Sequence, residues 1–437
     1  MNELSYFNIS GGQKTAIDPD NAFWGIMDNS SIPQNLLSFY AKVKDRLNTE
    51  FNEFRFGKEL SAIYIDPTDR CNANCPYCYI PAKLRNNGRS MNRGELAFIL
   101  KKLARYFNRF RRKPVIIFHA SEPLLVKDII FEVIRKFKKE FYFGLQTNAI
   151  LLEEEDARFL KKYRVGVGIS LDSHLAPVNN RLRKTKEADG NFEHAVKAIK
   201  WFAGYDGLNV ITTITKFNVA HLSDIVEFLH GKYVPCVLLN PVRLTQKASY
   251  ALKPDESLMI EYFLMAVDRA IQLSRDSGRR IIIGNFTNII LGIVAPAARR
   301  LMCDISPCGG GRCFLTITAS GKMIPCGEFI GLRRFSGGNI FKTGVNEAME
   351  SKPFKKIRAR IVEKIEKCNS CIFRNICGAP CPAELHSLGN MLQPSIFCKF
   401  YKKIIEYAFK LIAENKVKYC FREDGLNNLE YDYRLGG

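Results

Sequence analysis

The stretch Cys71-Asn-Ala-Asn-Cys75-Pro-Tyr-Cys78-Tyr79 puts three thiols within eight residues, in the pattern C-x3-C-x2-C. No fourth Cys or His lies close to it in sequence. A closed structural zinc site wants four ligands. A cubane iron–sulfur cluster is also held by thiolates, and with three of them it keeps one iron open. An open iron can chelate a small ligand through an amine and a carboxylate, so this spacing favours a cluster over zinc.

Outward from that loop the cysteines divide the chain. Of 14 in all, ten lie between Cys303 and Cys420, and Cys236 stands alone in the middle. The 437 residues allow two or three domains at about 150 residues each. Hydrophobic residues make up 46% and charged residues 25%, which excludes disorder as the main theme. The start, Met1-Asn-Glu-Leu-Ser-Tyr-Phe7, lacks the basic and apolar pattern of a secretory signal. The longest apolar stretch, around Ile289–Ala298, is shorter than the roughly 20 residues that span a bilayer. A cytoplasmic protein without membrane partners is expected, and in a reducing compartment so many cysteines point to metal. The net charge of +21 suggests acidic partners or a solvated basic surface.

The middle alternates between short apolar runs and helical periodicity. Strands are expected at 61–66, 114–119, 143–147, 165–172, 209–215 and 236–242. Helices are expected at 93–109, 127–138, 153–162, 191–203, 220–230 and 255–275. Six strand–helix units imply a parallel sheet with crossover helices. The chemistry of such sheets sits at the carboxyl ends of the strands. The Cys71–Cys78 loop follows the first strand directly and falls at that edge.

The loop resembles the signature of the radical S-adenosylmethionine (SAM) enzymes, with Tyr79 as the family's aromatic residue after the third cysteine. The resemblance covers about residues 61–400 and implies a partial (β/α)6 TIM-like barrel. It implies that Cys71, Cys75 and Cys78 hold a [4Fe-4S] cluster that binds SAM. The family's second strand usually ends in Gly-Gly-Glu-Pro, which meets the SAM amino group. Here the string is His119-Ala120-Ser121-Glu122-Pro123, so both glycines are replaced and Ser121 offers a hydroxyl. The third strand ends Gln146-Thr147-Asn148, as in the peptide-acting branch. The fourth ends Ser170-Leu171-Asp172, similar to the strand that contacts ribose and carboxylate. Arg183 falls where the family places an arginine against the SAM carboxylate. Arg181 is its rival, because Asn180-Arg181-Leu182-Arg183 aligns two ways.

The later cysteines are similar in spacing to the SPASM domain of peptide-modifying radical SAM enzymes, which implies two auxiliary four-iron clusters. One would use Cys308, Cys313, Cys326 and Cys381; the other would use Cys368, Cys371, Cys377 and Cys398. Zinc sites with four thiolates are the competing reading of these pairs. Cys303 and Cys420 are left over, as buried thiols or alternative ligands, and Cys236 reads as core. The expected division is an N-terminal extension over 1–60, the barrel over 61–295, the SPASM domain over 296–420 and a polar tail over 421–437. The extension holds Phe23-Trp24, a helix from about Pro33 to Phe51 and few strand signals.

The resemblance implies reductive cleavage of SAM to a 5′-deoxyadenosyl radical and hydrogen abstraction from a peptide or small protein. Three [4Fe-4S] clusters, SAM and a low-potential donor such as ferredoxin or flavodoxin are the expected cofactors and partner. The string Cys377-Gly-Ala-Pro-Cys381-Pro-Ala-Glu384 resembles enzymes that install crosslinks, often thioethers, in small ribosomal peptides. The alternative is an anaerobic sulfatase-maturating enzyme. That branch has an Asp directly after its auxiliary cysteine, whereas here Gly327 and Glu328 follow Cys326, and Glu328 is the candidate for a related role. An alternative of another class is a zinc-containing nucleic-acid-binding protein. It would use the run Lys101-Lys102, Arg105, Arg109, Arg111, Arg112 and Lys113, with Tyr106, Phe107 and Phe110 interleaved. Helical spacing of those aromatics argues that they face the core instead. Of the six histidines, only His119 is placed near the site.

Overall fold

Gly11 and Gly12 both take positive φ (81° and 72°) and turn the chain between β1 (Ser5–Ile9) and β2 (Gln13–Ile17). With β3 (Trp24–Asp28) they form a three-stranded antiparallel sheet in sequence order. The computed structural model describes residues 4–9, 11–28, 33–110, 112–187, 189–299 and 302–422. The sheet corrects the expectation of few strand signals in the extension. Its strands are short, and polar residues such as Asn8, Gln13 and Lys14 weaken their alternation. The Gly-Gly between two such runs is the hairpin signal that was there to be read. The helix Gln34–Phe56 follows, as expected but longer.

Six parallel strands come next: β4 (Ala62–Ile65), β5 (Val115–Phe118), β6 (Tyr142–Thr147), β7 (Gly166–Ser170), β8 (Leu208–Ile214) and β9 (Cys236–Pro241). They pair in consecutive order, with helices in the crossovers. The first long crossover helix, Arg93–Phe107, opens with an Asn92–Glu95 capping box and buries Leu96, Ile99, Leu100, Leu103 and Phe107. Three further strands extend the sheet: β10 (Ile282–Ile283), β11 (Phe314–Ile317) and β12 (Met323–Ile324). The full order is β10-β9-β8-β7-β6-β5-β4-β11-β12, an open, mostly parallel sheet wrapped as an incomplete TIM-like barrel.

The period of two sorts the side chains. Ile63, Ile65, Ile116 and Phe118 pack into the core under the helices, at about 1.5–3 kcal/mol per buried aliphatic side chain. Ala62, Val115 and Phe314 pack on the opposite face, with Tyr64, Ile117, Cys313 and Cys326 against them. The pairing of β11 with β4 carries the sheet across the expected boundary at residue 296. The apolar stretch before it forms the buried helix Gly284–Val294. Among the described residues no helix is long and apolar enough to cross a membrane. Phe421, where the polar tail was expected to begin, is buried; the tail from 423 onward and Arg111 of the basic run lie outside the described residues.

Candidate functional site

The loop after β4 is shaped by a residue that the sequence reading did not single out. Arg85 is buried, and its guanidinium donates to Ile80 O (3.1 Å), Ala73 O (3.4 Å) and Asn74 Oδ1 (2.9 Å). Its own carbonyl accepts from Cys71 N at 3.0 Å. Its signal, a lone Arg in a polar segment, is invisible without the fold. Two donors point at the first sulfur: Ala73 N at 3.3 Å and Asn148 Nδ2 at 3.8 Å from Cys71 Sγ. Burial, then the neighbouring Glu122, pushes the Cys71 thiol up to about 12; burial pushes Cys75 up to about 11. Cys71 and Cys75 each also feel the charge of Cys78. Such thiols become thiolates only if a bound group supplies positive charge, and that matches a donor set for an iron–sulfur cluster. Among the described residues no three His, Cys, Asp or Glu side chains converge closely enough to share one ion. Each thiolate of a cubane binds its own iron, so a cluster does not require that convergence.

Of the expected strand-end residues, Ser121, Glu122, Asn148, Asp172 and Arg183 meet this loop. Ala120 and Ser121, in place of the two glycines, both hold left-handed backbone (φ 60° and 51°). The turn is thus the one glycine favours, kept at some strain. Ser121 Oγ donates to Asp69 O at 2.6 Å. Glu122 is buried and accepts from Leu124 N (3.0 Å), Thr147 Oγ1 (2.8 Å) and Asn148 N (2.8 Å), which ties β5 to β6. Burial pushes its carboxyl up to about 7. Asn148 Nδ2 donates to Asn72 Oδ1 at 2.8 Å. Gln146 and Ser170 lie at the ends of β6 and β7, half-buried. Asp172 is saturated by the protein: Thr213 N and the Arg183 guanidinium reach Oδ1, while Tyr77 Oη and Arg183 Nε reach Oδ2. Arg183 is buried there and its charge acts on Cys75. Arg181 is exposed, with its guanidinium 3.7 Å from the Phe217 ring centre.

The later cysteines gather in two groups. Burial and then Cys398 and Cys371 push the Cys368 thiol up to about 11; burial likewise raises Cys377 and Cys398, with Cys398 and Cys371 acting on the first and Cys371 on the second as lesser causes. Cys326 is held well up by burial and then by Cys381, Glu328, Cys303 and Cys308, and Cys313 by burial to about 11 with Cys308 beside it. Cys303, left over in the sequence reading, therefore stands in the first auxiliary group. Cys236 and Cys420 are buried in the core. Glu328 follows as a half-buried carboxyl whose Oε2 lacks a partner; burial pushes it up to about 7 and Arg243 pulls it down. Arg243 itself pairs with the buried Glu384 at 3.5 Å. Tyr79 closes the gap between the two thiol fields, its pKa raised by burial and then by Glu328, Asp66, Cys78 and Cys326.

The basic run has another use. Tyr106 and Phe110 pack against the main core, Lys102 Nζ donates to Ile340 O and Thr343 O, and Arg109 donates to Asn346. It binds the barrel to the C-terminal region.

The chain is similar to known proteins. Residues 65–230 match the model of the Radical SAM superfamily, and 308–372 match that of the SPASM iron-sulfur cluster-binding domain. An uncharacterized protein of Archaeoglobus fulgidus is 44% identical over 97% of each chain. A cysteine-type anaerobic sulfatase-maturating enzyme of Clostridium novyi is 24% identical over 80% of this chain and 95% of that one. Among solved structures, anSMEcpe with bound AdoMet superposes with a TM-score of 0.70 at 20% identity, over 81% of this chain and 94% of that one. Streptococcus suis SuiB bound to the precursor peptide SuiA gives 0.59 at 14%, over 91% and 99%.

Proposed function

The chain belongs to the radical SAM superfamily and is an enzyme with SAM and [4Fe-4S] clusters as cofactors, and from that premise we propose that it matures a peptide or small protein, most simply by installing a thioether or other crosslink. Cys71, Cys75 and Cys78 would hold the SAM-binding cluster. Cys308, Cys313, Cys326 and Cys381 would hold one auxiliary cluster, and Cys368, Cys371, Cys377 and Cys398 the other. The barrel would be residues 61–295 and the auxiliary domain 296–420. When bound, SAM and its cluster supply a 5′-deoxyadenosyl radical that takes a hydrogen atom from an unactivated carbon.

The chain's own residues do the rest. Arg85 and Asn148 orient the loop and its first sulfur. Asp172 and Tyr77 hold the Arg183 guanidinium ready for a carboxylate. The aromatic and buried lining keeps water out. One observation carries the reading: Tyr79, next to Cys78, lies beside Gly327 and Glu328, next to Cys326. The two thiol fields thus meet at Tyr79, where a substrate side chain would be oxidised. A reduced ferredoxin or flavodoxin of the cytoplasm would supply the electron.

The sulfatase-maturating reading is supported by the relative that matches over 95% of its own length. Glu328 would then replace the missing Asp as base. The test is reduced, reconstituted enzyme with SAM and the small peptides encoded beside its gene. A crosslink removes two hydrogens from the peptide; a sulfatase-type substrate gains an aldehyde that a hydrazine probe traps. Deoxyadenosine without any change in a peptide's mass overturns the peptide reading.

A further inference from the structure

Asp66 and His119 directly follow β4 and β5, which pair in parallel with Ile65 opposite Phe118. His119 N donates to Ile65 O at 3.1 Å and fixes the two side chains as neighbours at the carboxyl edge. Asp66 is 0% exposed, yet neither of its carboxylate oxygens has a hydrogen-bond partner, and His119 Nδ1 has none either. Their closest approach, Nδ1 to Oδ1, is 3.9 Å, too long for a hydrogen bond. Burial holds the imidazole neutral, down at about 4, so no ion pair closes the gap. Burial, and then Asp69, holds the Asp66 carboxyl well above the usual range.

The walls are aromatic. Tyr64 meets His119 edge-on at 5.3 Å between ring centres, and Tyr79 lies near-parallel to it at 6.5 Å. Gly327 borders the same spot: a Cβ there would sit in ordinary contact, 3.6 Å from both His119 Cε1 and Tyr79 Oη. Buried polar atoms without partners are rare and costly, and three in one spot need a reason.

We propose that Asp66 and His119 are a substrate-binding pair whose missing partner is an X–H donor on the reacting side chain, a cysteine thiol or a serine hydroxyl. This rests on the peptide-maturing reading and names the group that the barrel selects. An apolar side chain in the same place leaves all three atoms unpaired, the situation in which a buried polar site discriminates most strongly. His119 lies against both Tyr79 and Gly327, so a side chain the pair holds is near both thiol fields.

The test uses holoenzyme with SAM and fluorescently labelled peptides encoded beside the gene, each with Cys, Ser or Ala at the reacting position. Anaerobic anisotropy on wild type should show a preference of about tenfold for the Cys or the Ser peptide over Ala. The Cys and Ser arms identify the donor. Asp66→Leu and His119→Phe should bring the preference to about one. A second readout needs no substrate: Asp66→Leu removes the orphaned oxygens on the same branched skeleton and Asp66→Ala removes them without added bulk, so the more stable of the two holoenzymes should melt at or above wild type. A melting point several degrees below wild type in both variants overturns the proposal, because Asp66 then has a structural partner. So does a variant that keeps the Cys-over-Ala preference. If wild type makes deoxyadenosine but alters no peptide while either Asp66 variant melts high, the peptide reading falls and the thiol or hydroxyl assignment with it. A low melting point in both beside normal peptide maturation overturns the pair alone.

Discussion

Arg181 and Arg183 are two residues apart, and their local string aligns with the family pattern in two ways. Spacing cannot choose between them, because the choice depends on which guanidinium the turn buries. The structure buries Arg183 against Asp172 at 2.9 Å and leaves Arg181 on the Phe217 ring. Arg183→Ala would leave the Asp172 carboxylate with only Tyr77 and Thr213 N, an uncompensated buried charge that costs about 3–5 kcal/mol. Denaturant unfolding should register that loss, together with weakened SAM binding, while Arg181→Ala should stay within about 1 kcal/mol of wild type. His119 allows a prediction with a sign. Its imidazole falls from 6.5 to about 4 on folding, so between those values the unfolded chain binds a proton that the native one does not. Its contribution to stability is therefore present above pH 6.5 and lost as the pH falls toward 4, by about 3 kcal/mol in full. His119→Gln should flatten that part of the stability difference between pH 7 and pH 5, and a variant with the same pH slope as wild type would refute the buried-neutral histidine. The thiols of the first loop were legible because three close cysteines announce themselves. Arg85 and Asp66 were not, because what marks them is burial and the presence or absence of partners, which only the fold reveals.

At the scale of elements, the six barrel strands were readable because each is an apolar run bounded by turn residues and followed by a helix of clear period. Helix Gly284–Val294 was not, since an apolar stretch buried on nearly all sides has no period to detect. The N-terminal sheet was missed for the opposite reason: its strands are short and half-polar. It becomes intelligible only in place, where Trp24 Nε1 donates to Ile293 O at 2.9 Å and Phe7 packs edge-on against Phe373 and Phe409. The turn after β5 illustrates how an altered motif can keep its shape. Ala120 and Ser121 depart from glycine in type but hold left-handed φ, so the departure lies in strain rather than in path. Ala120→Gly should then leave stability unchanged or raise it by up to about 1 kcal/mol, where glycine elsewhere usually costs that much. Ser121→Gly should gain nothing, because it also gives up the 2.6 Å bond from Oγ to Asp69 O. Thermal melting of the two single variants checks the pair of outcomes, and a clear loss in Ala120→Gly would remove the argument from backbone strain.

At the scale of the whole molecule, β11 joins the barrel sheet beside β4, and Lys102 on the first long crossover helix and Arg109 just after it reach residues 340–346. The cysteine-rich region is thus built into the barrel's edge, and its two thiol groups differ in what surrounds them. The group around Cys326 shares its space with Tyr79 and Glu328, while the charges that act most on Cys368, Cys377 and Cys398 come from other residues. Loss of one thiolate from each group should therefore have unequal consequences. Cys398→Ser should remove iron equal to one four-iron cluster and leave SAM binding and SAM-dependent changes in the remaining spectrum intact. Cys326→Ser should disturb the space next to Tyr79 as well, so that the electron paramagnetic resonance signal of the SAM-bound cluster shifts relative to wild type. Iron analysis and low-temperature spectra of both reduced variants, with and without SAM, measure this. Equal effects of the two substitutions on the SAM-bound signal would mean that the groups are not set at different depths from the loop, and the shared space between Cys78 and Cys326 would lose its claim to be where the substrate reacts.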